Sequence, residues 1–134
     1  MALRRLYIPV TAADVTALIA SGELPGPVRT AYGVSPALVA ATPRADEEER
    51  EYAAFLDAVA AGAAAGDRVA VAALDLPDAE VDWPDTGHTV EVHRAVLRRE
   101  IVAFHVGEEP GEDADLLWFD ITEAGLVAQH LTDS

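Results

Sequence analysis

Cysteine is absent from this 134-residue chain, so neither a disulfide framework nor a zinc site built on thiolates is open to it, and the fold has to rest on its core. Lysine is absent too: the nine basic residues are all arginine, set against 24 acidic ones for a formal net charge of −15. The chain therefore lacks the clustered cations through which nucleic-acid and anionic-membrane binders draw affinity from phosphate, and neither partner is expected. The excess acid keeps an apolar-rich protein soluble and leaves a cationic partner open. No apolar run approaches the roughly 20 residues of a membrane span, and Pro9 and Asp14 interrupt the segment after Arg4-Arg5 before a signal-peptide core could form. A cytoplasmic location is the expectation. Also missing are a Gly-rich phosphate loop, a G-x-S-x-G elbow and an H-E-x-x-H pair, so no motif marks a catalytic centre.

What is present suits one domain, long enough to remove roughly two thirds of its unfolded surface from water. Its organising stretch is Asp46–Pro77. Asp46 followed by Glu47-Glu48-Glu49 reads as a cap, with Glu49 in the capping-box position and negative charge at the positive end of the helix dipole. Tyr52, Phe55, Leu56, Val59 and Ala63 recur at helical spacing, while Ala54, Ala58, Ala61 and Ala65 form a second, small-residue stripe. The large stripe is expected to cover a sheet and the alanine stripe to admit a second helix, from this chain or from another copy, so a homodimer through Ala58 is one expected assembly. Gly66 supplies a stop, and the apolar run from Arg68 to Leu74 reads as a central strand covered on both faces.

Before this stretch, Leu3–Pro9 reads as a strand. Thr11–Ser21 reads as a helix with Thr11 at the cap, Asp14 in the capping-box position and Gly22 past the end. Val28–Tyr32 is a further strand, and Ser35-Pro36 opens a helix to about Ala41. After the central strand, Asp75–Gly87 reads as a loop. Thr89–Val96 and Ile101–Val106 alternate as half-buried strands, the second with Val102, Phe104 and Val106 opposed to Ala103 and His105. Asp115–Phe119 is another strand, and Thr122 begins a terminal helix to about Leu131. Alternation followed by consecutive strands predicts an α+β fold: two layers, a mixed sheet of about five to six strands, and helices mainly on one face. A doubly wound α/β sheet is the alternative.

Arg5-Leu6-Tyr7-Ile8-Pro9-Val10-Thr11, Asp46-Glu47-Glu48-Glu49 with Tyr52-Ala53-Ala54, Arg68–Asp78, Ala103-Phe104-His105-Val106 and Leu116–Glu123 together resemble an uncharacterised family of small acidic actinobacterial proteins. The resemblance implies a cytoplasmic, high-GC origin. It brings no activity, cofactor or catalytic residue.

Four groups of residues could carry chemistry. Asp75 lies at the carboxyl end of the apolar strand, where open α/β sheets tend to bind ligands, and is the candidate general acid or base. His93 and His105, on what could be adjacent strands with Glu91 nearby, have the composition of a 2-His-1-carboxylate metal set, but a strand histidine is usually a hydrogen-bonded surface residue and no metal is expected. Arg4, Arg5, Arg98 and Arg99 are the paired basic positions and the candidate anion clamp, against which stands internal pairing with carboxylates. Asp75, Asp78, Glu80, Asp82 and Asp85 crowd one loop, and Glu108, Glu109, Glu112, Asp113 and Asp115 another, without the ligand spacing of an EF-hand. A non-catalytic interaction or small-ligand-binding domain, with a protein or small-molecule partner and no cofactor, is the leading expectation. The alternative is a small enzyme using Asp75 with His93 or His105.

Overall fold

The computed structural model of the protein describes residues 3–25, 29–64, 68–83, 89–111 and 115–132. In chain order the elements are β1 (Leu3–Pro9), α1 (Ala12–Ser21), β2 (Glu23–Leu24), β3 (Arg29–Gly33), α2 (Pro36–Ala41) and α3 (Glu47–Ala63). They continue with β4 (Ala70–Pro77), β5 (Thr89–Val92), β6 (Val96–Leu97), β7 (Ile101–Gly107), β8 (Leu116–Asp120) and α4 (Ala124–Thr132). No helix among the described residues is long and apolar enough to cross a membrane.

The helix starts are set by local chemistry. At α1 the Asp14 N–H donates to the Thr11 hydroxyl and the Asp14 carboxylate accepts the Thr11 N–H, while Gly22, at φ 82°, turns the chain out of the helix. Asp46 and Glu49 make the same reciprocal box at α3. Arg50 then donates to the carbonyl and hydroxyl of Thr42, tying the end of α2 to the first turns of α3. The expected stop at Gly66, the last alanine of the small stripe at Ala65 and the strand start at Val28 lie outside the described residues.

The fold is α+β. A six-stranded sheet runs in the order β5-β3-β1-β4-β7-β8, and β2 pairs with β6 in a separate two-stranded ribbon. Every pairing is antiparallel, so the sheet is not the expected mixture of directions. Its cause is β2, a short extended segment with no signal in the sequence, which turns the chain back after α1 so that β3 runs against β1 rather than with it. The strand expected over Thr89–Val96 is two pieces, β5 in the large sheet and β6 in the ribbon. The expected loop at Asp75 begins later, because β4 pairs with β1 as far as Pro77.

Burial alternates cleanly along β4. Ala70, Ala72, Leu74 and Leu76 point into a core shared with Val15 and Leu18 of α1 and Val127 of α4, while Val71 and Ala73 point the other way, toward α3. The apolar run of this strand is thus explained by cover on both sides. The same division places α1 and α4 on one face and α3 on the other, so the helices form two outer layers rather than the single one expected.

Two local features refine the picture. In β7 the register slips opposite Ala73 and Leu74, so that Ile101 enters the core and Val102 is turned out, 38% exposed. This bulge breaks the strict alternation by which Val102 would share a face with Phe104. Gly33 sits where a Cβ would lie 2.5 Å from Leu6 Cδ2 and 3.1 Å from the Trp83 ring, so a larger residue there would force the buried Leu6 side chain to shift.

The helix α3 is rotated from expectation: of its large stripe, Val59 is buried and Phe55 and Ala63 pack against the sheet-facing cluster as expected, but Tyr52 and Leu56 turn outward. Ala54 and Ala58 are completely buried against the sheet, whereas Tyr52 and Leu56 are 60% and 44% exposed. Small side chains let the helix axis approach a face already filled by Tyr7, Tyr32 and Val71, and the larger residues splay to the flanks. Ala54 and Ala58 are therefore core and are not available as a dimer interface, while Ala61 is half-buried. Enlarging it by Ala58→Leu should cost about 1–3 kcal/mol through overpacking, while Leu56→Ala should stay within about 1 kcal/mol. Urea unfolding followed by circular dichroism measures both, and the reverse order would mean that Leu56 rather than Ala58 faces the sheet.

Candidate functional site

The face of the sheet beneath α3 carries the molecule's concentration of polar and aromatic groups. Arg5 on β1 and Asp75 on β4 are directly opposite in the antiparallel register. The guanidinium donates from Nε and Nη2 to the two carboxylate oxygens, at 2.7 and 3.2 Å. This bidentate bond, which outweighs the opposing effect of burial, raises the Arg5 pKa above its ordinary value. Two residues along β1, Tyr7 faces the same side, its phenol pKa raised by burial and then by the charge of Glu51. Glu51 comes from the second turn of α3. Burial pushes its carboxyl up, Glu47 adds to this by like-charge repulsion, and Arg5 opposes it.

Further along this face, Phe55 of α3 is the centre of a ring cluster. Its centroid lies 5.4 Å from Tyr7 and 4.8 Å from His105, both edge-on, and 6.3 Å from Tyr52, which is stacked. Tyr7, Glu48, Glu51, Tyr52, Phe55 and His105 line a groove of about 340 Å³. It adjoins a second hollow of about 350 Å³ that shares Glu51 and holds the Arg5–Asp75 pair. His105 is half-buried, and burial first, then the charge of Arg5, lowers its pKa. At neutral pH it contributes an uncharged ring.

The sequence-derived candidates divide. Asp75 and His105 do share this face, but His105 is opposite Val71, four residues and roughly 13 Å up the strand from Asp75. His93 comes just after β5, at the far edge of the sheet from β7, with β3, β1 and β4 between. The expected adjacency of the two histidines is therefore wrong: four strand spacings, roughly 19 Å, separate their strands. Alternation in a sequence reveals faces but not strand order, and strand order is what keeps the two apart. His93 instead lies 3.4 Å from Glu91 and 3.6 Å from Asp82, more than half exposed.

The arginines separate in the same way. Arg4 binds Asp78 at 2.7 Å, which, with a hydrogen bond from Trp83, holds that carboxyl below its usual range. Arg98 and Arg99 sit on a one-turn 3₁₀ segment before β7, and Arg99 lines a different hollow, beside Arg94. Arg94 is bound by Glu100 at 2.6 Å and Glu80 at 3.1 Å, and Glu100 also accepts the Leu97 N–H, a tie that fixes the turn into β7. The loop acids Asp75, Asp78 and Glu80 thus each hold an arginine rather than one another. Asp85, Glu112 and Asp113 lie outside the described residues. Sequence reasoning misses the set Tyr7, Glu48, Glu51, Tyr52 and Phe55: the spacing of Glu48, Glu51, Tyr52 and Phe55 on one helix flank is visible along the chain, but by pattern alone it reads as core and cap.

The family whose sequence model matches the chain is described as a Family of unknown function (DUF6912), and the match covers residues 4–114, in line with the resemblance to an uncharacterised family. No curated protein and no solved structure matches the chain significantly.

The lowered pKa of His105 fixes a sign. Its folded value lies below the unfolded value near 6.5, so its contribution to stability is complete above that pH and falls as pH drops through it, because the unfolded chain takes the proton first. His105→Phe should therefore flatten the melting-temperature profile just below about pH 6.5, and in the native protein the His105 ring resonances should titrate below that value. A ring that titrates at or above it would contradict this burial. Arg5→Gln should cost about 1–2 kcal/mol by denaturant unfolding, since Asp75 then loses both charged hydrogen bonds on a face that water partly reaches.

Proposed function

The chain belongs to this family of unknown function, which supplies no activity, and from the face beside α3 we propose that it is a non-catalytic binding domain that docks a positively charged segment of a partner protein. The observation that supports this reading is the gathering of exposed apolar side chains on that face. Tyr52 and Leu56 on the flank of α3, and Trp118 on β8, are 60%, 44% and 60% exposed. Trp118 is the direct register partner of His105, whose ring forms part of the groove that Tyr52 also lines. Helix α3 packs over β1, β3 and β4 and leaves the β7–β8 end of the face open. Monomeric surfaces seldom gather large apolar groups without use, and aromatic residues are the usual anchors of interfaces.

Charge selects the partner. Glu48 and Glu51 line the groove, Glu47 lines the adjoining hollow, and Arg5, which reaches that hollow, is bound to Asp75. With a formal net charge of −15, the chain attracts a basic partner and repels a second copy of itself. The enzymatic alternative lacks support from its own candidates: Asp75 is held by Arg5, and neither His93 nor His105 is within contact of it by register.

A soluble peptide alternating arginine and leucine tests the reading, with a peptide of equal length carrying glutamate for arginine as control. In heteronuclear NMR the basic peptide should shift the Trp118 indole and the 52–56 amides in a saturable way, more strongly at low salt. The acidic control should leave them in place. Tyr52→Ser combined with Trp118→Ser should weaken binding about tenfold or more while the melting temperature changes little. Shifts scattered over the acidic loops and unaffected by that double change would refute the docking face.

A further inference from the structure

We propose that the groove lined by Tyr7, Glu48, Glu51, Tyr52, Phe55 and His105 is a seat for an alkylated ammonium group. The inference rests on the reading of this face as a binding surface and names the chemical group that the groove takes. The lining pairs rings with carboxylates and little else: three rings clustered around Phe55, and two glutamates one helical turn apart.

Each alternative occupant meets a physical obstacle. An anion would face Glu48 and Glu51, and the nearby guanidinium of Arg5 is engaged by both oxygens of Asp75. A bare metal ion needs several converging oxygen or nitrogen ligands, and among the described residues no group of three or more histidine, aspartate or glutamate side chains is placed to hold one. A neutral apolar ligand would bury carboxylates without compensation. An alkylated ammonium meets both parts of the lining. Its charge is spread over C–H groups that lie well against the negative faces of rings and ask for no hydrogen bonds, and its net charge answers the glutamates. The groove also keeps its own floor uncharged, since His105 is a neutral imidazole at neutral pH. The Glu51 carboxylate, crowded by Glu47, Glu48 and Asp75, is relieved by a cation placed beside it.

Such a group reaches a protein either as a free molecule with a quaternary nitrogen or as a methylated lysine on a protein segment. The probes are tetramethylammonium and choline for the first, a trimethyllysine peptide with its unmethylated twin for the second, and 3,3-dimethylbutanol as the uncharged isostere of choline. Binding is read from the ring resonances of Tyr7, Tyr52, Phe55 and His105. The expected result is a saturable shift of those rings with the cations and a much weaker one with the isostere. Tyr52→Leu and Glu51→Gln should each weaken binding about five- to tenfold without lowering the melting temperature. Tighter binding of the trimethyllysine peptide than of choline assigns the group to a protein partner, and the reverse assigns it to a free ligand. The inference is overturned by equal shifts from the isostere and choline, or by cation shifts spread over the acidic loops and indifferent to Tyr52→Leu. If no ammonium binds but the arginine–leucine peptide still moves Trp118, the docking face stands and this seat falls. If the ammonium binds and the peptide does not, the docking reading falls instead.

Discussion

The close approach of α3 to the sheet is the contact on which the rest of this structure depends. Ala54 and Ala58 are fully buried against Tyr7, Val71 and Ala73, and their small volume sets how near the helix lies. A near helix leaves no room for Tyr52, Phe55 or Leu56 underneath it, so these residues turn to the flanks. Phe55 then wedges against Tyr7 and His105, and Tyr52 stays in water beside it. The groove is the by-product of a packing decision made by two alanines. Interiors packed at crystal density transmit such choices, because a change of one methylene has to be absorbed by neighbours.

Electrostatics then gives the groove its sign. Arg4, Arg5 and Arg94 are each bound by carboxylates, and Arg50 and Arg68 donate to backbone carbonyls that end helices or segments. The Arg4–Asp78 pair is about half exposed and so adds little stability. The larger effect of the pairs is on the field. Because the described pairs engage so many of the nine arginines, the excess of acid is left to face solvent, including along the first two turns of α3. There it does two things at once: it stabilises the helix N-terminus, and it makes the potential at the adjoining groove negative.

The two faces of the sheet have different burdens. The side under α1 and α4 is a continuous apolar core centred on Leu6, Leu74, Phe104 and Val127. The side under α3 mixes tyrosine, histidine, an arginine–aspartate pair and a desolvated glutamate. Separating the two lets one face hold the fold while the other tolerates groups whose burial is costly. It also fits the small residues that open β4, which serves both faces: three of its first four residues are alanine.

Much of the fold is legible along the chain. Thr11 with Asp14, Asp46 with Glu49, Gly22, and Ser35-Pro36 act through bonds between residues three or four apart, so the sequence alone determines where α1, α2 and α3 begin. The apolar run of β4 and the alternation of β5 are equally readable, since burial on one or two sides is written into neighbouring side chains. What only the tertiary structure decided involves partners distant in sequence. The order β5-β3-β1-β4-β7-β8 kept His93 from His105 and paired Arg5 with Asp75. The bulge at Val102 depended on where β4 lay beside β7. The rotation of α3, which buries Ala54, Ala58 and Val59 and leaves Tyr52 and Leu56 outside, turned on what fitted a surface already occupied by Tyr7 and Tyr32. Periodicity marks that a helix has two faces, but the energy that chooses between them comes from the shape of the opposing sheet, and that shape exists only once strands far apart in the chain have met.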